Sequence, residues 1–383
     1  MPVPYYHGHP LAVFTCIQGL GEVLVISDIG ASLKQARADA GLSLSKMAAR
    51  THFSKSHLAN VENGRRTPTS DVVLAYERAL GDDVHRRTLL TGLATAIVAP
   101  MVMSEALHGA FTEALTEPIP AEQWRDRAEN YGRDYMTMGA AALSAHLVAD
   151  MVRLQQFVND PKVWAPAARM MTVYGKTLPA NDGSRGALRW YRLAASVADR
   201  SEDTPTRVWV RGRAALALAY EAAELPTARV LADQALALSD SPCLGRLNAL
   251  VARAHVAGAL GDHATAVTTM EEAQRLFDQV GSAEQISDFA IPEWRMSTFA
   301  SMLWSRLGDE QRAVAAQEAA DHTRPATLPR FATHIELHRG LMLAKSGDKT
   351  GGLHYAQAAL ERLPPERHSL SLRLLTDEIS RTR

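Results

Sequence analysis

A short signature recurs through the C-terminal part of the sequence at nearly regular intervals. It reads LGDHATA at Leu260–Ala266, LGDEQRA at Leu307–Ala313 and SGDKTGG at Ser346–Gly352. Glycine favours the end of one helix, and aspartate favours the cap of the next. Each copy therefore predicts the tight turn of a helical hairpin.

Two looser copies precede these three: NDGSRGA ends at Ala187 and AELPTA ends at Ala228. The small residues that end the five copies are 41, 38, 47 and 39 residues apart. Each is followed seven residues later by another small residue, and the pair lets two antiparallel helices approach closely. These second small residues are Ala194, Ala235, Ala273, Ala320 and Ala359. A hairpin repeated in series explains the period, so we expect an all-α solenoid of helix pairs over 121–383.

The period resembles that of a tetratricopeptide array. The small residues Gly175, Ala254 and Gly340 in the first helices fit that family. However, the period is longer than the family's usual length of about 34 residues, and most of its aromatic positions are lost. Armadillo and HEAT repeats therefore stay open as alternatives. Residues from about Ala121 to Asp160 are interpreted as one more degenerate helix pair.

Arrays of this kind bind partners along the concave face made by the first helix of each pair. Arginine and asparagine on such a face could clamp a peptide backbone and its carboxylate. The register predicts a ligand groove lined by Arg213, Tyr220, Asn248, His255, Arg295 and His334, with Arg169, Lys176 and Thr298 near it. For each residue the competing interpretation is an ordinary solvated helix position.

A different pattern occupies residues 29–81. Apolar residues at helical spacing end at Gly41, and Ser43 and Ser54 are placed to cap two short helices. The second of these helices is predicted over Lys55–Glu62, and Asn63-Gly64 is predicted to give it a left-handed stop. A further helix from Ser70 to Leu80 is expected to close the core.

The stretch GLSLSKMAARTHFSKSHLANVENGRRTP resembles the helix-turn-helix of Cro/phage-repressor-type regulators, the xenobiotic-response-element family. The matching positions are Ala48 inside the first helix, Phe53 in the turn, the Leu58 and Val61 pair, and the ENGRRTP exit. His52 stands where the family usually has glycine in the tight turn. Histidine tolerates positive φ better than most other residues, so we expect the turn to form.

The resemblance implies that Lys55–Glu62 is a recognition helix that enters the major groove of double-stranded DNA by its N-terminal end. Lysine can donate to guanine, asparagine can pair with adenine, and serine can bond either base. The predicted base contacts are Lys55, Ser56, His57 and Asn60. The predicted phosphate contacts are Ser45, Lys46, Ser54, Arg65 and Arg66.

Charge supports a local nucleic-acid surface. The net charge of the 383 residues is −1, which excludes a globally basic coat. Between Ile29 and Ser70, however, seven Lys or Arg face two Asp or Glu, a local charge of +5. The competing interpretation is a solvated basic face with no partner. The two cysteines, Cys16 and Cys243, are far apart in sequence, which favours a reducing cytoplasm.

The segment Arg86–Met103, RRTLLTGLATAIVAPMVM, imitates a twin-arginine targeting signal. It follows a complete predicted module, and its apolar run is shorter than the ~20 residues that span a bilayer. We interpret residues 82–120 as a helical linker with no membrane span. Residues 1–28 are an irregular extension with one short strand, Glu22–Ser27.

The sequence lacks the residue patterns that are typical of catalytic sites and metal sites. HIELH (His334–His338) has two histidines at i and i+4, but Glu336 projects to the opposite side and no third ligand is evident. The sequence has no phosphate-binding loop, dinucleotide glycine pattern or nucleophile elbow. We therefore expect no enzyme activity, cofactor or metal.

The expected function is that of a cytoplasmic transcription regulator, which binds a palindromic operator as a homodimer. Its repeat domain would sense a peptide, a small molecule or a protein partner. The high ratio of arginine to lysine, 34 to 7, is typical of a GC-rich bacterial genome. Peptide-sensing regulators of Gram-positive bacteria share this domain order. The alternative is a helical-repeat adaptor in which DNA binding is secondary, and a hydrolase or transferase ranks third.

Overall fold

The computed structural model describes residues 33–35, 37–38, 41–63, 65–66, 72, 75–76, 79, 119–157, 159–178 and 186–382. They fall into two compact units, one within residues 1–104 and one within 105–383. All regular structure in the described ranges is helical, which confirms the predicted all-α fold. The predicted strand Glu22–Ser27 and the apolar run Leu89–Met103 lie outside the described residues.

The N-terminal unit contains the two short helices that the serine caps predict. Helix α1 is Leu44–Thr51, and the Ser43 hydroxyl accepts a hydrogen bond from the backbone N–H of Lys46. Helix α2 is Lys55–Glu62, and Ser54 caps it in the same way. These observations confirm both predicted starts.

The turns before the two helices adopt a left-handed backbone. Gly41 has a φ of +64°, and His52 adopts the left-handed conformation with a φ of 59°, as expected. At the end of α2, Asn63 has a φ of −97°, and Gly64, the other residue of the predicted left-handed stop, lies outside the described residues. The Asn63 side chain donates to the Ala59 carbonyl oxygen and so satisfies one of the last carbonyls of α2.

A small apolar core holds the N-terminal unit together. Leu58 and Val61 are fully buried, as their spacing predicts. The other fully or almost fully buried members of this core are Leu33, Met47, Val72 and Tyr76. Phe53 packs against it from the turn, so the connection between the two helices is anchored.

The second unit is a series of antiparallel helix pairs. The pairs are α3 (Ala121–Thr137) with α4 (Ala140–Leu154), α5 (Trp164–Gly175) with α6 (Gly186–Arg200), α7 (Thr204–Tyr220) with α8 (Leu225–Leu238), α9 (Leu244–Ala259) with α10 (His263–Val280), α11 (Glu293–Leu307) with α12 (Glu310–Thr323), and α13 (Pro329–Lys345) with α14 (Lys349–Glu361). A final helix, α15, spans Leu370–Arg381, and short 3₁₀ turns occur at Gln155–Phe157, Pro161–Val163 and Pro365–Arg367.

The Gly-Asp signature forms the turn inside the last three pairs. The glycines adopt positive φ, with values of 79° at Gly261, 73° at Gly308 and 107° at Gly347. The aspartates that follow cap α10, α12 and α14 by accepting from a backbone N–H in the first turn. Both halves of the predicted signature are therefore confirmed.

Small residues mark the close contacts between paired helices. All ten predicted marker positions are buried, from Ala187 and Ala194 to Gly352 and Ala359. One close approach joins α13 to α14, where a Cβ on Gly340 would lie 2.8 Å from the carbonyl oxygen of Gly352. The spacing of small residues thus sets how near these helices can come.

The longest interval between the small residues that end the repeated signature, 47 residues from Ala266 to Ala313, contains a segment that connects two repeats. Residues 281–292, which we name the inner loop, connect α10 to α11. The loop is closed at its base, where the Ser282 N–H donates to the Ile291 carbonyl oxygen at 3.0 Å. Its tip reaches back to α3, because the Asp288 N–H donates to the Gly132 carbonyl oxygen at 2.8 Å. The inner loop therefore bridges the first and the fifth helix pair.

No helix in the described ranges is both long enough and apolar enough to cross a bilayer.

Candidate functional site

The start of α2 is a polar surface. Lys55, Ser56 and Asn60 are exposed on it, as are the predicted phosphate contacts Ser45, Lys46, Ser54, Arg65 and Arg66. The first two of these phosphate contacts lie in the first turn of α1, so the starts of both helices carry exposed hydrogen-bond donors. Such an arrangement can reach base edges and backbone phosphates together.

His57 is less accessible than the other three predicted base contacts. Its ring stacks on Phe53, with the ring centroids 5.3 Å apart and the planes at 16°. The side chain is half-buried, and its Nε2 is shielded from solvent without a hydrogen-bond partner within the protein. Its place in the structure therefore suits packing of the turn at least as well as contact with a base.

The end of α2 is held by a buried carboxylate. Glu62 accepts two hydrogen bonds from Arg37 and one from the Tyr76 hydroxyl, the latter at 2.8 Å. The carboxylate raises the pKa of Arg37, and burial followed by this hydrogen bond raises the pKa of Tyr76. Arg37 therefore stays charged and Tyr76 stays neutral at neutral pH, and the cluster fixes the end of α2.

The exit from α2 turns two arginines outward. The backbone N–H groups of Arg65 and Arg66 both donate to the Asn60 carbonyl oxygen, at 2.8 and 3.1 Å. Their side chains are exposed just beyond the end of α2. These two hydrogen bonds fix the backbone of Arg65 and Arg66, so both guanidinium groups extend from a fixed position next to α2.

The predicted groove residues do lie on the first helices of the pairs, and they meet on one inner face. Tyr220 is half-buried and the other five are buried: the exposed fraction is 5% for Arg213, 2% for Asn248 and 3% for Arg295. Asn248 donates to the Leu244 carbonyl oxygen of its own helix. The inner face is thus packed, and the inner loop supplies part of the packing.

One cluster on this face centres on Asp288, at the tip of the inner loop. Oδ1 of this fully buried carboxylate lies 2.6 Å from Lys176 Nζ, 2.8 Å from an Arg213 nitrogen and 2.5 Å from an Arg295 nitrogen. Burial opposes ionisation of Asp288, but these three cations outweigh it and hold its pKa well below the usual range. Burial and the neighbouring Arg213 lower the pKa of Lys176.

A second cluster joins α7, α11, α13 and α15. The Tyr220 hydroxyl lies 2.8 Å from His338 Nε2 and 3.3 Å from His334 Nδ1. Ser301 Oγ lies 2.9 Å from His338 Nδ1, and Ser371 Oγ lies 3.4 Å from His334 Nε2. One set of tautomers satisfies the chain: Ser371 donates to His334, His334 to Tyr220, Tyr220 to His338, and His338 to Ser301.

Both imidazoles in that chain are neutral, and burial explains why. Burial lowers the pKa of His334 to about 3, with Arg330 as the second cause, and lowers that of His338 as well. His255 lies on the same face beside Arg306, and burial lowers its pKa to about 3. The second cluster therefore carries no histidine charge at neutral pH.

Both histidines of the HIELH stretch belong to this hydrogen-bonded cluster. Glu336 points to the other side of α13, as predicted, and accepts hydrogen bonds from Arg339 and Tyr355. Within the described ranges, no three His, Cys, Asp or Glu side chains gather as metal ligands would.

Sequence reasoning did not identify two of the residues that organise these sites. Glu62 lies four residues after the buried Leu58, so a charge on the inward face of α2 was the available signal. Asp288 lies inside the interval of 47 residues, and the extra length was the signal there. A buried carboxylate needs cationic partners, which this structure provides in both places.

Residues 28–90 match a protein family described as Helix-turn-helix domain. A crystal structure of Bacillus thuringiensis PlcR in complex with the peptide PapR7 and DNA is similar, at 15% identity, over 66% of this chain and 95% of that chain. The TM-score is 0.35, and no contact of that complex is assigned to this chain. No curated protein sequence matches the chain. The chain therefore carries a helix-turn-helix domain at residues 28–90, followed by an all-α series of helix pairs.

Proposed function

We propose that this chain is a sequence-specific DNA-binding transcription regulator of the bacterial cytoplasm. The observation that supports it best is the exposed start of α2, where Lys55, Ser56 and Asn60 are exposed to solvent and the helix is packed on a buried core. A recognition helix that presents such residues by its N-terminal end suits the major groove. Lys55 would donate to guanine and Asn60 would pair with adenine, while Ser56 would bond either base.

Phosphate contacts would position this helix on the duplex. Ser45, Lys46 and Ser54 lie at helix starts, where backbone N–H groups also favour anions. Arg65 and Arg66 would bind phosphates near the opposite, C-terminal end of α2. Such contacts fix register and orientation without reading sequence.

We infer that the regulator acts as a homodimer on a palindromic operator. One helix-turn-helix reads too few base pairs to select a genomic site, so two readers on half-sites about one helical turn apart are needed. The described N-terminal core buries its apolar residues internally, which favours dimerisation through residues beyond 88. Sedimentation and footprinting of the full chain and of a fragment ending at Gly81 test this. A fragment that dimerises and protects both half-sites as tightly as the full chain would refute it.

The repeat domain is proposed to sense an effector on its inner face. An effector changes DNA affinity only as far as it binds two states of the protein differently. Its chemical class, whether peptide, small molecule or protein partner, is a separate question.

Mapping of the DNA bound in the source cell tests the proposed function as a whole. The recovered fragments should share one palindromic sequence, and the purified chain should bind that sequence with and without cell extract. Bound fragments with no common sequence would count against a sequence-specific regulator.

A further inference from the structure

The repeat domain holds part of its own chain in the place where an effector is proposed to bind. The tip of the inner loop, Ser287–Ala290, is largely buried, whereas residues 283–285 near its base are exposed. The base is closed by Ser282, whose N–H and hydroxyl both bond the backbone of Ile291. A loop tied at its base and inserted by its tip can leave the inner face without unwinding either neighbouring helix.

The tip is held by one carboxylate. Asp288 is the single acidic group bonded to Lys176, Arg213 and Arg295, and four contacts of 3.1 Å or less join it to them. These cations come from three different helix pairs, at the end of α5, in α7 and in α11. The arrangement has the form of a carboxylate-binding site, and the chain's own residue fills it.

The next residue inserts an aromatic ring. Phe289 meets Trp209 edge to face, with the ring centroids 4.8 Å apart. Arg169 lies over the same ring, with its guanidinium carbon 5.4 Å from the centroid. On the opposite side the ring rests against Gly132, where a Cβ would lie only 2.6 Å from a ring carbon. The inner face thus has a ring pocket directly beside its carboxylate site.

Other charged groups near this cluster do not replace Asp288. Arg330 is a further arginine nearby, where it binds the carbonyl oxygen of Tyr135. Burial raises the pKa of Glu221 to about 7. Loss of Asp288 from the cluster would leave buried positive charge without its partner, so a group that takes the place of Asp288 has to bring a carboxylate of its own.

We propose that the inner loop is a built-in competitor for the effector, and that the effector is a peptide with an acidic residue followed by an aromatic residue. The peptide carboxylate would replace Asp288 among the three cations, and its ring would replace Phe289 against Trp209. This inference rests on the proposed function for the existence of an effector site, and it adds the chemistry of the ligand. Displacement of the tip would release the bridge between α3 and α11.

The competition can be measured because the loop's own sequence is a ready ligand. A tethered segment acts at an effective concentration in the millimolar range. Wild-type protein should therefore bind a free copy of the segment weakly, and a chain whose loop is dislodged should bind it well. The probe is a fluorescein-labelled peptide SAEQISDFAI, residues 282–291, and the control peptide has Asn in place of its Asp.

Two full-length variants dislodge the loop by different means. Phe289→Ala removes the ring that the loop inserts against Trp209, and it leaves every residue of the pocket and all four charges unchanged. Asp288→Asn removes the carboxylate from the three cations. The matched control is Arg125→Ala, an exposed position on α3. Circular dichroism shows which variants are folded, and if Asp288→Asn is not, Phe289→Ala decides the test.

Fluorescence anisotropy gives the result. We expect folded Phe289→Ala and Asp288→Asn to bind the Asp peptide at least ten times more tightly than wild type and Arg125→Ala do. The Asn peptide should bind at least ten times more weakly than the Asp peptide. A folded Phe289→Ala chain that binds the Asp peptide no more tightly than wild type overturns the proposal, and so does equal binding of the two peptides. No DNA is present, so failure here leaves the proposed DNA binding untouched, and failure of DNA binding leaves this result standing.

Discussion

Arg37 and Glu62 form a paired, two-bond contact at the end of α2. Nε of Arg37 donates to Oε1 of Glu62 at 2.6 Å, and a terminal nitrogen donates to Oε2 at 2.8 Å. The Glu62 side chain is 3% exposed and that of Arg37 is 14% exposed. Two parallel bonds to a buried carboxylate fix direction as well as distance. The orientation of α2 therefore depends on a charge at its last residue.

Replacement of Glu62 by Gln should destabilise the N-terminal unit by about 2–3 kcal/mol, because it leaves the Arg37 charge without its partner in a partly buried place. Urea unfolding of that unit, followed by hydrogen exchange of the α2 amides, measures the effect. The control is Lys34→Ala, which removes only an exposed hydrogen bond to Asn63 and should change stability by less than about 0.5 kcal/mol. Equal stability of Glu62→Gln and wild type would contradict the role of the pair.

Removal of Arg65 or Arg66 should weaken binding to specific and random DNA about equally. Each is proposed to neutralise one phosphate, so the slope of log affinity against log salt should fall by about one. Titrations at several salt concentrations give this slope. A loss confined to the specific site would show that the arginine reads a base.

Mild acid should destabilise the repeat domain through its buried histidines. The folded pKa of His255 and of His334 is about 3, whereas unfolded histidine titrates near 6.5. Because the pKa is lower in the folded chain, the unfolded chain binds the proton at a higher pH than the folded chain does. The contribution of each neutral histidine to the free energy of unfolding is therefore fully present above pH 6.5. It is lost as the pH falls from 6.5 toward 3, at about 1.4 kcal/mol per pH unit for each histidine.

Unfolding at pH 7, 6 and 5 checks this window. His334→Gln should reduce the pH dependence of the repeat-domain transition by about one proton, while the exposed His263→Gln should leave it unchanged. A pH dependence that is the same in His334→Gln and wild type would mean that this histidine has the same pKa in the folded and the unfolded chain.

Gly340→Ala should loosen the contact between α13 and α14. The added Cβ would lie 2.8 Å from the Gly352 carbonyl oxygen and 3.1 Å from the Ala356 Cβ, so the two helices must separate. Overpacking of this kind costs about 1–3 kcal/mol, which thermal unfolding of the repeat domain can detect. Leu343→Ala, at a position 40% exposed on the same helix, is the control and should have a much smaller effect.

The sequence predicted features that depend on local chemistry. Caps at Ser43 and Ser54 and the glycine turns before α10, α12 and α14 need only their own neighbours, and each forms as expected. His52 adopts positive φ because the packing of the turn on both sides outweighs the modest strain at that residue.

Features that depend on distant parts of the chain were harder to predict. The groove residues lie on the predicted helices, but Arg213 and Arg295 are buried against the inner loop, whose tip also binds Lys176, 112 positions away. Repeat register gives the direction of a side chain and cannot show that another segment covers it. His57 is a local example, because its proximity to Phe53 follows from a turn geometry that periodicity does not describe.

The most direct test of the account measures binding of Asn60→Ala and wild type to the operator recovered by genome mapping and to a shuffled duplex. Wild type should prefer the operator by at least about a thousandfold at physiological salt. Asn60→Ala should lose about 1–3 kcal/mol on the operator and tolerate any base at one position of each half-site, while its affinity for the shuffled duplex stays the same. If Asn60→Ala keeps the affinity and the base preference of wild type, α2 is not the helix that reads the operator.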